Sequence, residues 1–170
     1  NYINADKNEL FFTSGGTEAD NWAFIGMTLF KGRKNGHIIL TAFEHSAILE
    51  TAKFLKNRGF DVTYIFPDRD GFIDAKDVTN AIREDTFLVS VMYVNNEVGT
   101  IQDIKKICSF VKKKNPNIVF HTDAVQAIGK LKILPKDLKI NALTATAHKF
   151  YGPKGAGFVF IDKKYSVEKE

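Results

Sequence analysis

Residues 87–94, Phe87-Leu88-Val89-Ser90-Val91-Met92-Tyr93-Val94, run almost unbroken through apolar, β-branched and aromatic side chains and stop on Asn95-Asn96-Glu97. A strand with one wet face alternates polar and apolar residues, whereas a near-continuous apolar run belongs to a strand covered on both faces. Working outward from this run, the segments 10–13, 37–41, 62–66, 118–122, 142–146 and 157–161 read in the same way. Between them the apolar period lengthens to that of a helix. About 18–31 puts Ala19, Trp22, Ala23, Gly26 and Phe30 on one face, and about 46–57 does so with Ile48, Leu49, Ala52 and Leu55. About 75–83 carries Val78, Ala81 and Ile82, and about 104–113 carries Ile104, Ile107, Cys108 and Val111. Strand alternating with helix predicts a three-layer, doubly wound α/β fold with a mostly parallel sheet and right-handed crossovers. No repeat or Pro/Gly/Ser-rich linker interrupts it, so residues 1–170 read as a single domain.

Composition narrows the function classes. Of 170 residues 44% are hydrophobic and 26% charged, ordinary for a globular domain. The 24 Lys and Arg against 20 Asp and Glu leave +4, too even a balance to predict direct nucleic-acid binding. No apolar run approaches the roughly 20 residues of a membrane helix, so no membrane partner is expected. One cysteine excludes an internal disulfide framework and a multi-cysteine metal site, and fits a reducing compartment, the cytoplasm or an organelle matrix. No metal site is expected. The chain begins without methionine or signal-peptide pattern, which suggests a piece of something longer.

In such sheets ligands collect at the carboxyl ends of the strands, and the residues there are conspicuously polar. Ser14-Gly15-Gly16-Thr17-Glu18 follows a strand and opens a helix. The glycines and free helix N–H groups suit a phosphate, and the plainer reading is a tight turn capped by Ser14 or Thr17. It is neither a dinucleotide fingerprint nor a P-loop. Asp123, with Gln126 three residues on, reads either as a capping box or as a strand-end carboxylate aimed at a cationic ring nitrogen, with Gln126 on a neighbouring ligand oxygen. His45 opens a helix, where an imidazole can stack on a flat ligand or serve structure alone. Asn95 and Asn96 suit a turn. Lys149, after the run 142–146 and before Phe150-Tyr151-Gly152-Pro153, is a solvated charge or, if partly desolvated, an amine able to form a Schiff base. Lys112-Lys113-Lys114 reads as a solvated helix end, and Cys108 as a core thiol.

Together, Thr13 to Asn21, Glu44-His45, Val94 to Gly99, His121 to Gln126 and Ala147 to Gly155 resemble the cofactor domain of the cysteine desulfurases, in the class V aminotransferase group of pyridoxal-phosphate enzymes. The resemblance runs through nearly the whole chain, with five motifs in the family's order. It implies the large cofactor domain of that transferase fold, truncated, with pyridoxal 5′-phosphate as cofactor and Lys149 as its covalent anchor. Gly16 and Thr17, helped by Thr146 and His148, would hold the phosphate; the family usually has serine at Thr146. Asp123 would pair with the ring nitrogen, Gln126 and Asn96 would address ring substituents, and His45 would stack on the ring and share in catalysis. A full member converts L-cysteine to L-alanine and passes sulfur to an enzyme cysteine as a persulfide, for iron–sulfur cluster assembly or thiolation. Sulfur-acceptor or scaffold proteins and a homodimer are its implied partners. Three family elements are absent from these 170 residues: the first strand segment, the nucleophilic cysteine on a mobile loop, and the small C-terminal domain with its carboxylate-clasping arginine. A selenocysteine lyase, another class V aminotransferase, and a non-catalytic fragment serving only as a binding or scaffold piece are the alternatives.

Overall fold

Residues 3–29 and 32–165 are described by the structure, a computed structural model. Its strands are β1 (Leu10–Thr13), β2 (Gly36–Thr41), β3 (Phe60–Ile65), β4 (Thr86–Ser90), β5 (Val119–Asp123), β6 (Ala142–Thr146) and β7 (Gly157–Ile161). The helices are α1 (Gly16–Leu29), α2 (Ser46–Lys56), α3 (Ala75–Asn80), α4 (Ile104–Lys114) and the four-residue α5 (Pro135–Leu138). All seven strands form one sheet in the order β1-β7-β6-β5-β4-β2-β3. The pairs β2–β3, β2–β4, β4–β5 and β5–β6 are parallel, and β7 is antiparallel to both β6 and β1. The direction of strand addition reverses between β2 and β4, where loops leave the sheet in opposite senses and open a crevice.

Alternate residues of each strand feed two cores. Ile38, Leu40, Leu88, Val119 and Ala142 pack under Phe24 and Met27 of α1 and Ile48, Ala52 and Leu55 of α2. On the opposite face Ile39, Val89, Phe120 and Leu143 pack against Val78 of α3 and the Ile104, Ile107, Cys108, Val111 stripe of α4. Three layers result, as the apolar runs predict.

Three local readings are corrected. The run 87–94 is not all strand: its ladder with β2 ends at Ser90, because the Met92 N–H is taken by Glu44 Oε1 at 2.8 Å, while Val91 and Tyr93 still donate to the His121 and Asp123 carbonyls of β5 at 3.2 and 2.9 Å. The buried stripe of α1 is Asp20, Ala23, Phe24, Met27 and Thr28 beside Ala19, one position round from the predicted face. Trp22 and Gly26 are exposed, Trp22 with its ring edge against Phe11 at 5.2 Å, and Phe30 lies outside the described residues. Lys112 is not a solvated helix end; its Nζ donates to the Ile118 carbonyl and to Asn141 Oδ1, each at 2.5 Å, tying α4 to the start of β5.

Phe120 is fully buried at the centre of the sheet. Phe120→Ala is expected to cost about 3–5 kcal/mol, transfer plus cavity, read as a lower urea midpoint at unchanged slope.

Candidate active site

The first turn of α1 offers open donors. The Ser14 amide and hydroxyl both donate to Glu18 Oε2, at 2.7 and 2.5 Å, closing the turn. Because the first helical bond runs from Ala19 N–H to the Gly15 carbonyl (3.1 Å), the N–H groups of Gly16, Thr17 and Glu18 have no partner among the described residues. Such donors, with the helix dipole behind them, attract an anion. A Cβ on Gly16 would stand 3.1 Å from Val125 Cγ2 and 3.6 Å from Thr146 Cβ. One on Gly157 would fall 2.8 Å from the Gly15 backbone, so β7 presses the turn into place.

Asp123 ends β5 and is 1% exposed. Its Oδ1 accepts the Val125 N–H at 2.8 Å. Burial pushes the carboxyl up to about 6, while the Val125 bond and the field of His45 pull it down. The capping box does not form: residues 125–130 are a run of turns rather than a helix. Two further acids are buried close by. Asp20 of α1 accepts the Thr144 hydroxyl at 2.5 Å, and Thr144 is the β6 ladder partner of Asp123. Burial and the Asp123 charge push Asp20 well above the usual carboxylate range. Glu44 Oε1 accepts from Thr41 Oγ1 (2.7 Å) and the Met92 N–H, while its buried Oε2 finds no partner among the described residues. Burial drives Glu44 up to about 8. His121, whose Nδ1 lies 2.9 Å from Ser90 Oγ, is driven down to about 3 by burial and is therefore neutral.

Two loops at the strand reversal complete one side. His45 is the N-cap of α2, its Nδ1 accepting the Ala47 N–H at 3.2 Å, which leaves the proton of a neutral ring on Nε2. Buried Asn95 accepts the N–H groups of Glu97 and Val98, each at 2.9 Å, and donates to the Phe43 carbonyl at 3.1 Å. It thereby clips the loop to the chain just before His45 and leaves its exposed neighbour Asn96 free to face inward.

Lys149 sits on a 3₁₀ turn, Ala147–Phe150, immediately after β6. Two bonds of 2.9 Å, Gly152 N–H to the Ala147 carbonyl and Ala147 N–H to the Ala156 carbonyl, close it. Tyr151 takes a left-handed conformation (φ 66°) to complete it, at a cost of about 1–2 kcal/mol. Buried Thr146 donates to the Ala156 carbonyl at 3.2 Å and lies 3.1 Å from His148 Nδ1.

These pieces enclose one cavity of about 220 Å³. Its lining includes Gly16 and Thr17 from α1, His45 and Asn96 from the reversal loops, and Asp123, Gln126, Thr146, His148 and Lys149 from the strand ends. All nine residues singled out in the sequence thus come together. Asp123 and Thr146 form a buried floor; Thr17, His45, Asn96, His148 and Lys149 form an exposed rim. The partial desolvation envisaged for Lys149 is absent, since its turn holds it at that rim. Asp20, Met92 and Val125 also line the cavity and were missed. Asp20 had a signal, two residues past the Gly-Thr-Glu turn, but as a charged residue it does not count towards an apolar helix face. Cys108 does not line the cavity: it is buried against α4's own face of the sheet, its thiol pushed up to about 11 by burial.

The family described as aminotransferase class-V matches residues 1–169. The chain belongs to that family. A class-V relative, cysteine desulfurase IscS of Clostridium botulinum, is 54% identical over 166 residues, 98% of this chain and 41% of its own length. A solved NifS-like protein superposes with a TM-score of 0.90 at 43% identity, covering 95% of this chain and 44% of that one. The structure described as SspA in complex with cysteine gives 0.89 at 41% identity, covering 94% and 46%. The chain therefore spans about two-fifths of the length of the curated relatives it matches.

In this class-V chain two expectations separate structure from chemistry. Asn95→Ala removes three bonds and should cost about 2–3 kcal/mol in chemical denaturation, whereas Asn96→Ala, on the exposed rim, should fall within about 0.5 kcal/mol of the parent. For Glu44 the folded-state value lies above the ordinary 4.5. The fold therefore prefers the protonated acid, and its contribution is complete below pH 4.5 and lost as pH rises towards 8. Glu44→Gln should flatten that decline, its melting temperature gaining on the parent's between pH 5 and 8.

Proposed function

We propose that this chain is the cofactor-binding portion of a pyridoxal-phosphate-dependent cysteine desulfurase. The observation that carries the reading is the gathering of an amine (Lys149), a buried carboxyl (Asp123) and a helix start with open donors around one cavity. The 54% identity to a cysteine desulfurase supports it, as does the likeness to a chain described in complex with cysteine.

The residues present fit the cofactor. Gly16, bare of a side chain, and the unpartnered N–H groups of Gly16, Thr17 and Glu18 suit a phosphate. The Thr146 hydroxyl and the His148 ring, 3.1 Å apart, would add donors there. Asp123 would face the ring nitrogen, Gln126 and Asn96 the ring substituents, and His45 the ring plane. When bound, pyridoxal phosphate supplies an electron sink for the pair left at a deprotonated Cα.

This chain's own residues do the rest. Asp123, held at the end of β5 by the Val125 N–H, would keep a proton on the ring nitrogen, which an anion in a poorly solvated floor does well. His45, fixed by its cap bond to Ala47, limits the tilt of whatever lies over it, and orientation of this kind lowers a barrier by several kcal/mol. Lys149 Nζ, at the rim of the cavity, would hold and move the Cα proton. The reaction would take L-cysteine to L-alanine and leave the sulfur on an acceptor thiol as a persulfide. Cys108 is not that thiol, being buried and remote from the cavity lining. A homodimer, a sulfur-accepting protein partner and a reducing cytoplasmic or organelle-matrix setting belong to the same proposal, as does supply to iron–sulfur cluster assembly.

Alanine and sulfide released from L-cysteine by the full-length protein test the reading. Lys149→Ala should reduce turnover by about 10³-fold or more, and Asp123→Asn by about 10²–10⁴-fold. Turnover by Lys149→Ala at the parent rate would contradict it.

A further inference from the structure

Asp20 has no part in the reading above, yet its carboxyl is buried in the wall of the same cavity. Thr144, which it engages, pairs with Asp123 across the parallel β5–β6 ladder. Ladder partners lie on the same face of a sheet, about 5 Å apart, and α1 covers that face. The Asp20 carboxyl is therefore anchored one strand spacing from Asp123. Glu44, from the loop after β2, is the third acid on this side. His121 on β5 is neutral, and the ionisable groups of the rim are His45, His148 and Lys149.

Two carboxyls this close in a desolvated floor do not both ionise near neutrality, and their hydrogen bonds decide which keeps the proton. Asp123 Oδ1 faces a backbone N–H, which can only donate and so favours the anion. Asp20 faces a hydroxyl, which can rotate to accept and so tolerates a protonated acid. We propose that Asp20 is the positioning partner of Asp123: the pair holds one proton at neutral pH, resident on Asp20, which leaves Asp123 as the anion presented to the cavity. The part about what Asp123 faces rests on the cofactor reading; the shared proton does not.

The test is the carboxyl ¹³C shift of labelled aspartates in the full-length protein, freed of pyridoxal phosphate and titrated. At pH 7 the Asp20 signal should stand at the protonated position and Asp123 at the ionised one. In Asp123→Asn the Asp20 midpoint should fall by about one unit or more, because the anion against which Asp20 loses its proton is gone. Asp20→Asn, which keeps an oxygen for Thr144, should leave the Asp123 midpoint close to the parent's, because Asp20 is already neutral when Asp123 titrates. If Asp123→Asn does not fold, the parent still decides it through the order of its two midpoints, Asp123 below neutrality and Asp20 above; a purely structural Asp20 would keep its midpoint in Asp123→Asn. An unchanged Asp20 midpoint in Asp123→Asn, or an ionised Asp20 at pH 7, would overturn the proposal. Pyridoxal-phosphate absorbance is a separate readout. Coupled midpoints without cofactor binding would keep the proton pair and remove the cofactor reading.

Discussion

A carboxylate held out of water at the end of a central strand is the constraint around which the rest of this chain is arranged. Asp123 is 1% exposed, and an ion so placed persists only where donors and neighbouring charges are fixed in its favour. The Val125 N–H supplies one such donor, and the turn after β5 exists in the form that delivers it. Asp20, Glu44, Ser90, His121, Thr144 and Thr146 fall on the α1 side of the sheet, towards the carboxyl ends of its strands. The opposite side is filled by Phe120, Leu143 and Ala145. One face of the same strands is thus mostly apolar, its buried Thr122 bonded to the Val91 carbonyl, and the other becomes polar only in its last residues.

That division gives the loops their tasks. Where strand addition reverses, Glu44 caps the end of β4 through the Met92 N–H, and Asn95 clips the loop after β4 to Phe43. Gln102 joins the same loop to the segment before α3, accepting from Ile73 and donating to the Gly71 carbonyl. These are buried side chain–backbone bonds, so they hold the rim without strands beneath it. At the far side, the tight turn after β6 holds Lys149 at the edge of the cavity, with Tyr151 in a left-handed conformation. Rigid loops on a rigid sheet give the short error in position that chemistry between fixed groups requires.

Much of this was legible in the residues. The seven strands follow from apolar runs, helices α1 to α4 from their period, and the cavity from reading what stands after each strand. Single motifs there were ambiguous; the order of five of them was not. What escaped notice did so for definable reasons. Asp20 and Thr28 are polar but buried, so a count of apolar positions turned α1 by about one residue. The strand at 87–94 was drawn too long because composition cannot reveal that a distant carboxylate, Glu44, takes an N–H from the ladder. Lys112 reads as solvated because its acceptors, Ile118 and Asn141, approach only through the fold. For Asp20, Met92 and Lys112 the deciding partners, Thr144, Glu44 and Asn141, are remote in sequence.

The account stands on one amine among many being the group that meets an aldehyde opposite Asp123. Incubating the full-length protein with pyridoxal phosphate, reducing with borohydride and mapping the modified peptide by mass spectrometry measures this directly. The account predicts a single dominant adduct on Lys149, sensitive to Asp123→Asn. Adducts spread over surface lysines, with Lys149 unmodified, would contradict it.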